Sequence, residues 1–357
     1  MQRRLPRGVA IALGAGLSLL IVATVVVGVW WWRAEHRPDL ARAVSFAPAS
    51  TERLSWTDWQ AVRRSVGVDL STRPSTDEVT AFLDEAFSQD LSTSSALVES
   101  AATLNAQFRF SPATLDWELL AQGPDGAVDI LGFPDDTDFA ALADNLESLG
   151  FTRPADEDGV WVGGADLLAR IGPNLTPELQ FFALLPDAGV VLTSDTQGYL
   201  EKAVSAATGE SATLASLDDV VAAAGSPLVA AIFTGAYACE HLAMAAADDT
   251  DQAQAEELVR LAGGVHPMTG FAMATEASGQ ITVSMAFESE DAARQDADSR
   301  AALARGPAPG QGGAFTDRFE LTSATADDQV VQLELAPLEG QYVLSDLTSG
   351  PVLFATC

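Results

Sequence analysis

The feature that most constrains this chain is an uncharged apolar stretch near its N-terminus. Residues 8–32 contain no Asp, Glu, Lys or Arg. As a helix they would extend roughly 37 Å, at about 1.5 Å per residue, which is enough to cross a hydrocarbon layer about 30 Å thick. Trp30, Trp31 and Trp32 end the stretch and Arg33 follows it. Because indole rings favour the headgroup region, we predict a transmembrane anchor at 8–32 with these four residues at the membrane interface.

A cleaved signal peptide is the alternative interpretation of this stretch. Its apolar region would be shorter, about 7–15 residues, and would end at a cleavage site of small residues. Basic residues balance on the two sides of the stretch, so the α-amino group favours a cytoplasmic N-terminus. The expected topology is a single-pass protein of the cell membrane, with a cytoplasmic tail at 1–7 and residues 33–357 outside. The lipid bilayer is then a partner through residues 8–32.

Outside the anchor the chain is strongly acidic. It has 50 acidic and 19 basic residues, for a formal net charge of −31. Two of the acidic and six of the basic residues lie in 1–42, which leaves 48 acidic and 13 basic residues in the remainder. Such a surface repels the phosphates of nucleic acids. The composition therefore argues against a DNA or RNA partner. An envelope protein is a possible partner because the predicted anchor localises the chain to the membrane.

The spacing of apolar residues changes along the part outside the membrane. After a linker at 33–50, residues 51–112 have apolar positions at helical spacing and are interpreted as a helical region. A capping box is predicted at Ser55 to Asp58. Further helices are predicted from about Ser95 to Asn105 and over Cys239–Ala247.

From residue 113 onward, short apolar runs joined by turn residues predict strand hairpins, each followed by an amphipathic helix. Asp135 or Asp136 and then Asp195 are predicted to cap the first two of these helices, and the third helix is predicted to begin near Ser289. The predicted strand pairs are Trp117–Ala121 with Ala127–Leu131, Leu179–Leu185 with Val190–Ser194, and Gly270–Thr275 with Ile281–Phe287. This recurrence predicts an α+β fold of duplicated strand–strand–helix modules at 113–225 and 226–357, with mainly antiparallel sheets. We also predict a central strand at Leu228–Phe233 and a last strand at Val352–Phe354.

Cys239 and Cys357 are the only cysteines. Two cysteines in an oxidising compartment permit one disulfide, and two unpaired thiols are the alternative. His241 lies two positions after Cys239, but a zinc site needs three or four protein ligands. We therefore predict no metal site and no cofactor.

The sequence contains none of the common catalytic or phosphate-binding motifs, so no catalytic residue is predicted. Its acidic clusters are interpreted as helix caps and turns, because none has the spacing of a calcium-binding loop. A pair of carboxylates for glycoside hydrolysis would leave no short motif, so the chain is not predicted to be an enzyme but that chemistry stays open. The clusters are Asp135-Asp136-x-Asp138, Asp156-Glu157-Asp158, Asp248-Asp249-x-Asp251 and Asp327-Asp328.

Three short segments carry a resemblance to known proteins. They are Leu54-Ser55-Trp56-Thr57-Asp58-Trp59, Leu115-Asp116-Trp117-Glu118-Leu119 and Gly159-Val160-Trp161-Val162-Gly163-Gly164. With them the chain resembles single-anchor extracytoplasmic proteins of high-G+C, actinobacterial-type bacteria, and the hairpin units resemble a bacterial family of unknown function with repeated α+β modules. The resemblance implies location and fold and transfers no catalytic residue.

Three functions are compatible with these observations. The leading hypothesis is a non-catalytic binding or envelope-interaction module, since the anchor localises the chain and no catalytic signature accompanies it. The second is a cell-envelope hydrolase, which a cleft with two facing carboxylates would favour. The third is a periplasmic ligand carrier, which a large apolar cavity would favour.

Overall fold

The computed structural model describes residues 39–71, 73–156, 159–212 and 214–357. The predicted anchor and its interface residues Trp30, Trp31, Trp32 and Arg33 lie outside the described residues. Within the described part of the chain, no helix has both the length and the apolar character that a bilayer crossing requires.

Eleven strands form one antiparallel sheet, in which each strand is hydrogen-bonded to its neighbours and the strand Arg53–Thr57 lies at the centre. The strands are β1 (Arg53–Thr57), β2 (Trp117–Gly123), β3 (Gly126–Gly132), β4 (Trp161–Val162), β5 (Phe181–Leu185), β6 (Val190–Ser194), β7 (Val229–Thr234), β8 (Gly270–Thr275), β9 (Ile281–Ala286), β10 (Phe319–Asp327) and β11 (Val330–Pro337). The mixed α+β class and the antiparallel pairing are therefore confirmed. Strands β1 and β7 pair at the centre, so the sheet runs without a break between the parts on either side of residue 225.

Helices cover both faces of this sheet. The helices of six or more residues are α1 (Asp39–Val44), α2 (Trp59–Val66), α3 (Thr76–Ser88), α4 (Phe139–Leu149), α5 (Ala165–Ile171), α6 (Gln197–Ala207), α7 (Asp218–Ala224), α8 (Asp249–Ala262), α9 (Glu290–Ala304) and α10 (Val343–Thr348). Buried side chains of α1, α6 and α7 pack on one face together with Trp56. The larger core lies on the other face, where Trp59, Phe82 and Phe182 are buried.

The three predicted hairpins are present, and each precedes a helix. Strands β2 and β3 are joined by a two-residue turn closed by Gly123 and Gly126. Helix α9 begins near Ser289, as predicted, and the Ser289 side chain caps it by accepting a hydrogen bond from the backbone N–H of Ala292. Local sequence signals therefore define these units, and the strand register then joins them into one sheet.

Two predicted helix caps are wrong. Asp138, rather than Asp135 or Asp136, caps α4. Asp195 does not cap α6; its carboxylate accepts the backbone N–H of Ala127 across the sheet. Three aspartates compete at the start of α4, whereas at α6 the cap position is Thr196, which makes no side-chain capping hydrogen bond.

The N-terminal predictions also need correction. Part of the linker at 33–50 is helix α1, and the region 51–112 is not wholly helical because Arg53–Thr57 is the central strand β1. Ser55 therefore lies in a strand and forms no capping box, although Asp58 does cap α2. A complete capping box is found instead at Ser75 and Glu78, at the start of α3.

Three other predicted elements are irregular. The helix predicted from about Ser95 to Asn105 is a continuous helical run over 98–108, made of a 3₁₀ turn at Val98–Ser100, an α-helical turn at Ala101–Thr103 and a π-helical segment at Leu104–Phe108. The predicted helix at Cys239–Ala247 is a π-helical segment, Ala238–Leu242, followed by a 3₁₀ turn. The predicted last strand is a 3₁₀ turn at Leu353–Ala355.

Candidate binding cleft

Strand register places a row of side chains on one face of the sheet centre. Arg53 of β1 is paired with Gln122 of β2 and Phe233 of β7. Two residues along, Ser55 is paired with Leu120 and Ala231. Residues paired across strands point to the same face, and so do residues two apart within a strand. These six side chains therefore form a common floor, and its small members Ser55 and Ala231 leave a depression.

Three segments rise around this floor and enclose a cleft of about 590 Å³, which we call the central cleft. The loop Thr93–Ala96 forms one wall, and Ser345, Thr348 and Ser349 of the α10 region form another. The third wall is the segment that carries Tyr237 and His241. A volume of this size is within the range of small-molecule sites, roughly 300–1,000 Å³.

The third wall is an aromatic ladder. The rings of Phe233 and Tyr237 are nearly parallel, with centroids 5.8 Å apart, and the Tyr237 and His241 rings are 4.5 Å apart. Offset aromatic rings at such distances attract one another. The ladder thus extends from the buried floor at Phe233 to the exposed ring of His241.

A buried carboxylate beneath the first wall holds its loop in place. Glu118 accepts hydrogen bonds from Trp59 Nε1, Ser95 Oγ and the backbone N–H of Ala96, each at 2.8 Å. Burial raises the pKa of Glu118 to about 7, against these hydrogen bonds, which lower it. Glu118 is thus a structural acceptor behind the wall and does not line the cleft.

Asp90 connects the loop wall to the α10 wall. One of its carboxylate oxygens accepts the backbone N–H groups of Leu344 and Ser345, at 2.9 and 3.2 Å. The other accepts the hydroxyl of Thr93 at 3.3 Å. Burial raises the pKa of Asp90, and the hydrogen bonds from the α10 region and Thr93 lower it. One carboxylate thereby sets the separation of two cleft walls.

The disulfide and a buried ion pair secure the chain's C-terminal end. Cys239 and Cys357 are bonded, with Cα atoms 5.6 Å apart, and Cys239 lies in the segment that carries the aromatic ladder. Arg300 is fully buried and bonds the Asp296 carboxylate at 2.8 Å and the carbonyl oxygen of Phe354 at 2.7 Å. The last residues therefore brace the third wall from behind.

The lining of the central cleft carries no negative charge. None of its sixteen residues is Asp or Glu, and its basic members are Arg53 and His241. Within the described residues, the guanidinium of Arg53 forms no ion pair or hydrogen bond, although the Arg53 backbone lies in the sheet. In a chain so rich in carboxylates, a cleft that excludes them keeps its polar groups available to a ligand.

Two other cavities are built differently. A groove of about 620 Å³ has Arg63, Arg64 and Arg109 at its rim over an aromatic floor, but these arginines already bond protein oxygens, including the Pro112 carbonyl and the Asn145 side chain. A neighbouring cavity of about 540 Å³ is lined by acidic side chains. Burial raises the pKa of two of them, Asp58 and Asp116, although nearby arginines lower it.

A second buried carboxylate lies beside the floor. Asp129 is paired with Leu120 on one side and Thr193 on the other. Its two oxygens have no hydrogen-bond partner within the described residues. Burial and then the charge of Glu118 hold the pKa of Asp129 well above its usual range. Glu118 and Asp129 are thus two buried carboxyl groups with raised pKa values, but both are sealed inside the core.

Most of the acidic clusters found in the sequence lie at helix N-termini and in turns. Asp138 and Asp248 cap helices α4 and α8. Asp327 ends β10, and Asp328 lies in the turn that leads to β11. The cluster at 156–158 lies partly outside the described residues. Over the described ranges, no three His, Cys, Asp or Glu side chains are grouped so that they could hold a metal ion.

Sequence reasoning did not identify the residues of the cleft. Arg53 and Ser55 occupy alternate positions of a strand that was interpreted as helical, and the cleft hydroxyls come from segments far apart in the chain. Glu118 offered a usable signal, because an acidic residue between Trp117 and Leu119 in an apolar strand indicates a specific buried role.

Comparisons with known proteins add little to this site. No family model matches the chain, and no curated protein is significantly similar to it. The solved structure of crystal form I of TP0453 aligns with 87% of this chain and 98% of its own, at a TM-score of 0.41 and 7% sequence identity. A likeness at that level supports no argument about function.

Proposed function

We propose that this protein is a membrane-anchored, extracytoplasmic binding module without catalytic activity, and that its ligand occupies the central cleft. The observation that carries the proposal is the cleft itself. It combines about 590 Å³ of space with hydroxyl-bearing walls and a floor on which the side chains of Arg53, Ser55 and Gln122 make no hydrogen bond within the described residues, in a chain that is rich in carboxylates. Residues 8–32 would hold this module at the outer side of the membrane.

The arrangement of the repeated hairpin–helix units supports the same proposal. Three hairpin–helix units, β2-β3-α4, β5-β6-α6 and β8-β9-α9, would be copies of one ancestral module. The cleft lies over β1, β2 and β7, where the modules meet through the sheet. Ligand sites commonly form at such junctions.

The hydrolase alternative requires two carboxyl groups that reach the substrate from a shared cleft. Asp58 and Asp116, whose pKa values burial raises, both line the acidic cavity, but Asp58 there caps α2 by accepting the backbone N–H of Ala61. Glu118 and Asp129 have the raised pKa values of such groups, but neither lines the described cavities. Catalysis by Glu118 and Asp129 would require the core to open, whereas binding in the central cleft does not.

Cell fractionation tests the location. The full-length chain expressed in a bacterium should sediment with membranes and resist extraction by high salt. Protease added to spheroplasts should remove residues 33–357, whereas a cytoplasmic marker protein stays intact. Recovery of a chain that lacks its first forty or so residues from the aqueous fraction would contradict the anchor.

Co-purification tests the cleft. Thr348→Trp would place an indole ring in the cleft, and Thr80→Trp is its matched control on the exposed surface of α3. Both threonine hydroxyls donate to the carbonyl oxygen four residues earlier, so the two variants lose the same local hydrogen bond. Mass spectrometry of molecules retained by each full-length protein should show loss with Thr348→Trp alone. Equal retention by the two variants would contradict a site in the cleft.

A further inference from the structure

Resting on the proposed function, we infer that the central cleft binds a hydroxyl-rich small molecule that carries an anionic group, such as a sugar phosphate or a sugar acid. The inference follows from which hydrogen-bonding atoms the cleft leaves unused. Donors and acceptors are distributed unevenly between its floor and its walls.

The α10 wall presents acceptors. The hydroxyls of Thr348 and Ser349 donate to the carbonyl oxygens of Leu344 and Ser345, at 2.8 and 2.9 Å. Their protons are thereby committed to the protein, and each oxygen keeps lone pairs for a further hydrogen bond. A ligand that contacts this wall must therefore bring donors. Ligand hydroxyl groups meet this requirement, and a fully deprotonated anion does not.

The floor presents a donor with a charge. The guanidinium of Arg53 has only donors, in a planar fork that matches a carboxylate or phosphate. It lies beside Gln122 and Phe233 with no acidic side chain in the cleft lining to neutralise it. By contrast, Arg153, Arg260 and Arg294 are paired with carboxylates. The free guanidinium therefore selects an anionic group on the ligand.

The remaining polar atoms suit hydroxyl groups. Ser55 is only 6% exposed, and among the described residues its hydroxyl has no hydrogen-bond partner. The Gln122 side-chain oxygen is buried and has no partner either. A hydroxyl group can donate to Gln122 and exchange donor and acceptor roles with Ser55. A ligand that pairs with all of these groups would place hydroxyl groups over the floor and walls and one anionic group at Arg53.

The negative charge of the rest of the molecule further restricts which anions can bind in the central cleft. The chain has a strongly negative field, which disfavours simple anions. An anion is therefore expected to bind only where it also gains hydrogen bonds from its hydroxyl groups. This separates the proposed ligand class from sulfate, which offers no donors, and from neutral sugars, which leave Arg53 unpaired.

Isothermal titration calorimetry of the full-length protein tests the inference, in a detergent without a sugar head group and at fixed ionic strength. The probes are glucose 6-phosphate and glucuronate as hydroxylated anions, glucose as the neutral analogue, and sulfate as the anion without donors. At least one hydroxylated anion should bind about tenfold more tightly than glucose and sulfate, because hydrogen bonds to charged groups are the stronger ones. The two anions distinguish a phosphate ligand from a carboxylate ligand.

Arg53→Gln should weaken that binding by about tenfold or more. Arg170→Gln is the matched control, because it removes the same charge from an exposed site on α5 outside the cleft, and it should leave affinity unchanged. Arg53→Lys keeps the charge without the planar fork and should give an intermediate affinity. Equal unfolding midpoints would establish that the variants are folded.

The other outcomes overturn the inference in distinguishable ways. Glucose binding as tightly as the hydroxylated anions, or unchanged affinity in Arg53→Gln, would remove the anionic requirement but leave the cleft as a binding site. Sulfate binding as tightly would remove the hydroxyl requirement. Absence of binding by all four probes would reject the ligand class, and the Thr348→Trp co-purification would then decide separately whether the cleft is a site at all.

Discussion

Asp129 is a residue whose charged form destabilises the folded protein. It is fully buried between Leu120 and Thr193, and its two carboxylate oxygens have no partner within the described residues. Glu118, in the same core, differs because it accepts three hydrogen bonds. Burial of an unpaired carboxylate is costly, so the folded state favours the protonated form of Asp129.

Replacing Asp129 with Asn should make stability less dependent on pH. A carboxyl group with a raised folded pKa stabilises the fold fully below its unfolded pKa, about 3.9, and that contribution is lost as pH rises through the folded pKa. Over this window wild-type stability falls by up to about 1.4 kcal/mol per pH unit. Asp129→Asn should therefore match wild type near pH 4 and exceed it near pH 8.

Urea unfolding at the two pH values measures this difference. Asp84→Asn on the exposed side of α3 is the control, because it removes the same charge without burial. A variant at Asp129 with the same pH dependence as wild type would contradict the argument.

At the scale of elements, the central cleft depends on loops held by buried acceptors. Asp90 joins the Thr93 loop to the start of α10, and its backbone has a left-handed φ of 60°. Asp tolerates that conformation better than most residues, and glycine adopts it without strain. The two functions of Asp90, backbone conformation and carboxylate, can therefore be separated by substitution.

Asp90→Gly should loosen α10 although it relieves the backbone. It leaves the N–H groups of Leu344 and Ser345 without their acceptor, at a cost of about 1–3 kcal/mol. Hydrogen exchange in residues 343–349 should accelerate, with little change in distant strands such as β5. Asp90→Asn, which keeps one oxygen acceptor, should exchange at an intermediate rate. Protection of α10 that is unchanged in Asp90→Gly would refute the assigned role.

Removal of the disulfide should destabilise the protein strongly. Cys239 and Cys357 are 118 residues apart, and closing a loop of that length contributes about 4–5 kcal/mol in the chain-entropy model. The double variant Cys239→Ser/Cys357→Ser should lose about this much unfolding free energy in urea titrations. Dithiothreitol should destabilise wild type similarly and leave the double variant unaffected. A loss below about 1 kcal/mol would mean that the tail is held by Arg300 and the core alone.

For the whole molecule, one continuous sheet carries a large excess of negative charge. The 48 acidic residues after position 42 are opposed by 13 basic ones, so carboxylates repel one another across the surface. Self-repulsion of this kind destabilises the compact state and is screened by salt. The fold therefore persists because its two apolar cores outweigh that repulsion.

Added salt should stabilise this protein measurably. Raising NaCl from about 0.05 to 0.5 M shortens the Debye length from roughly 14 to 4 Å, and the unfolding midpoint near pH 8 should rise. The increase should be smaller near pH 4, where about half of the carboxyl groups are protonated. Scanning calorimetry at the two pH values provides the comparison. A midpoint that falls with salt near pH 8 would show that attractive ion pairs dominate.

Prediction from sequence succeeded where short segments decide the outcome. Alternating apolar residues around the Gly123–Gly126 turn specify the β2-β3 hairpin, and Ser289 caps α9 through a hydrogen bond three residues away. It failed at β1 although Arg53–Thr57 alternates polar and apolar residues as a strand does, because this run of five residues directly precedes helix α2 and its partners β2 and β7 are distant in the chain. The cleft was missed for the same reason.

The sequence by itself determines the hairpins, most helices, the acidic surface and the two cysteines available for a bond, because these depend on neighbours within a few residues or on composition. Only the tertiary structure decided that all eleven strands share one sheet, that Arg53 and Ser55 face a cleft, and that Glu118 and Asp129 are sealed in the core. Those properties arise from pairings between residues far apart in the chain. A local sequence pattern can indicate a strand, but it does not specify which distant strand will pair with it.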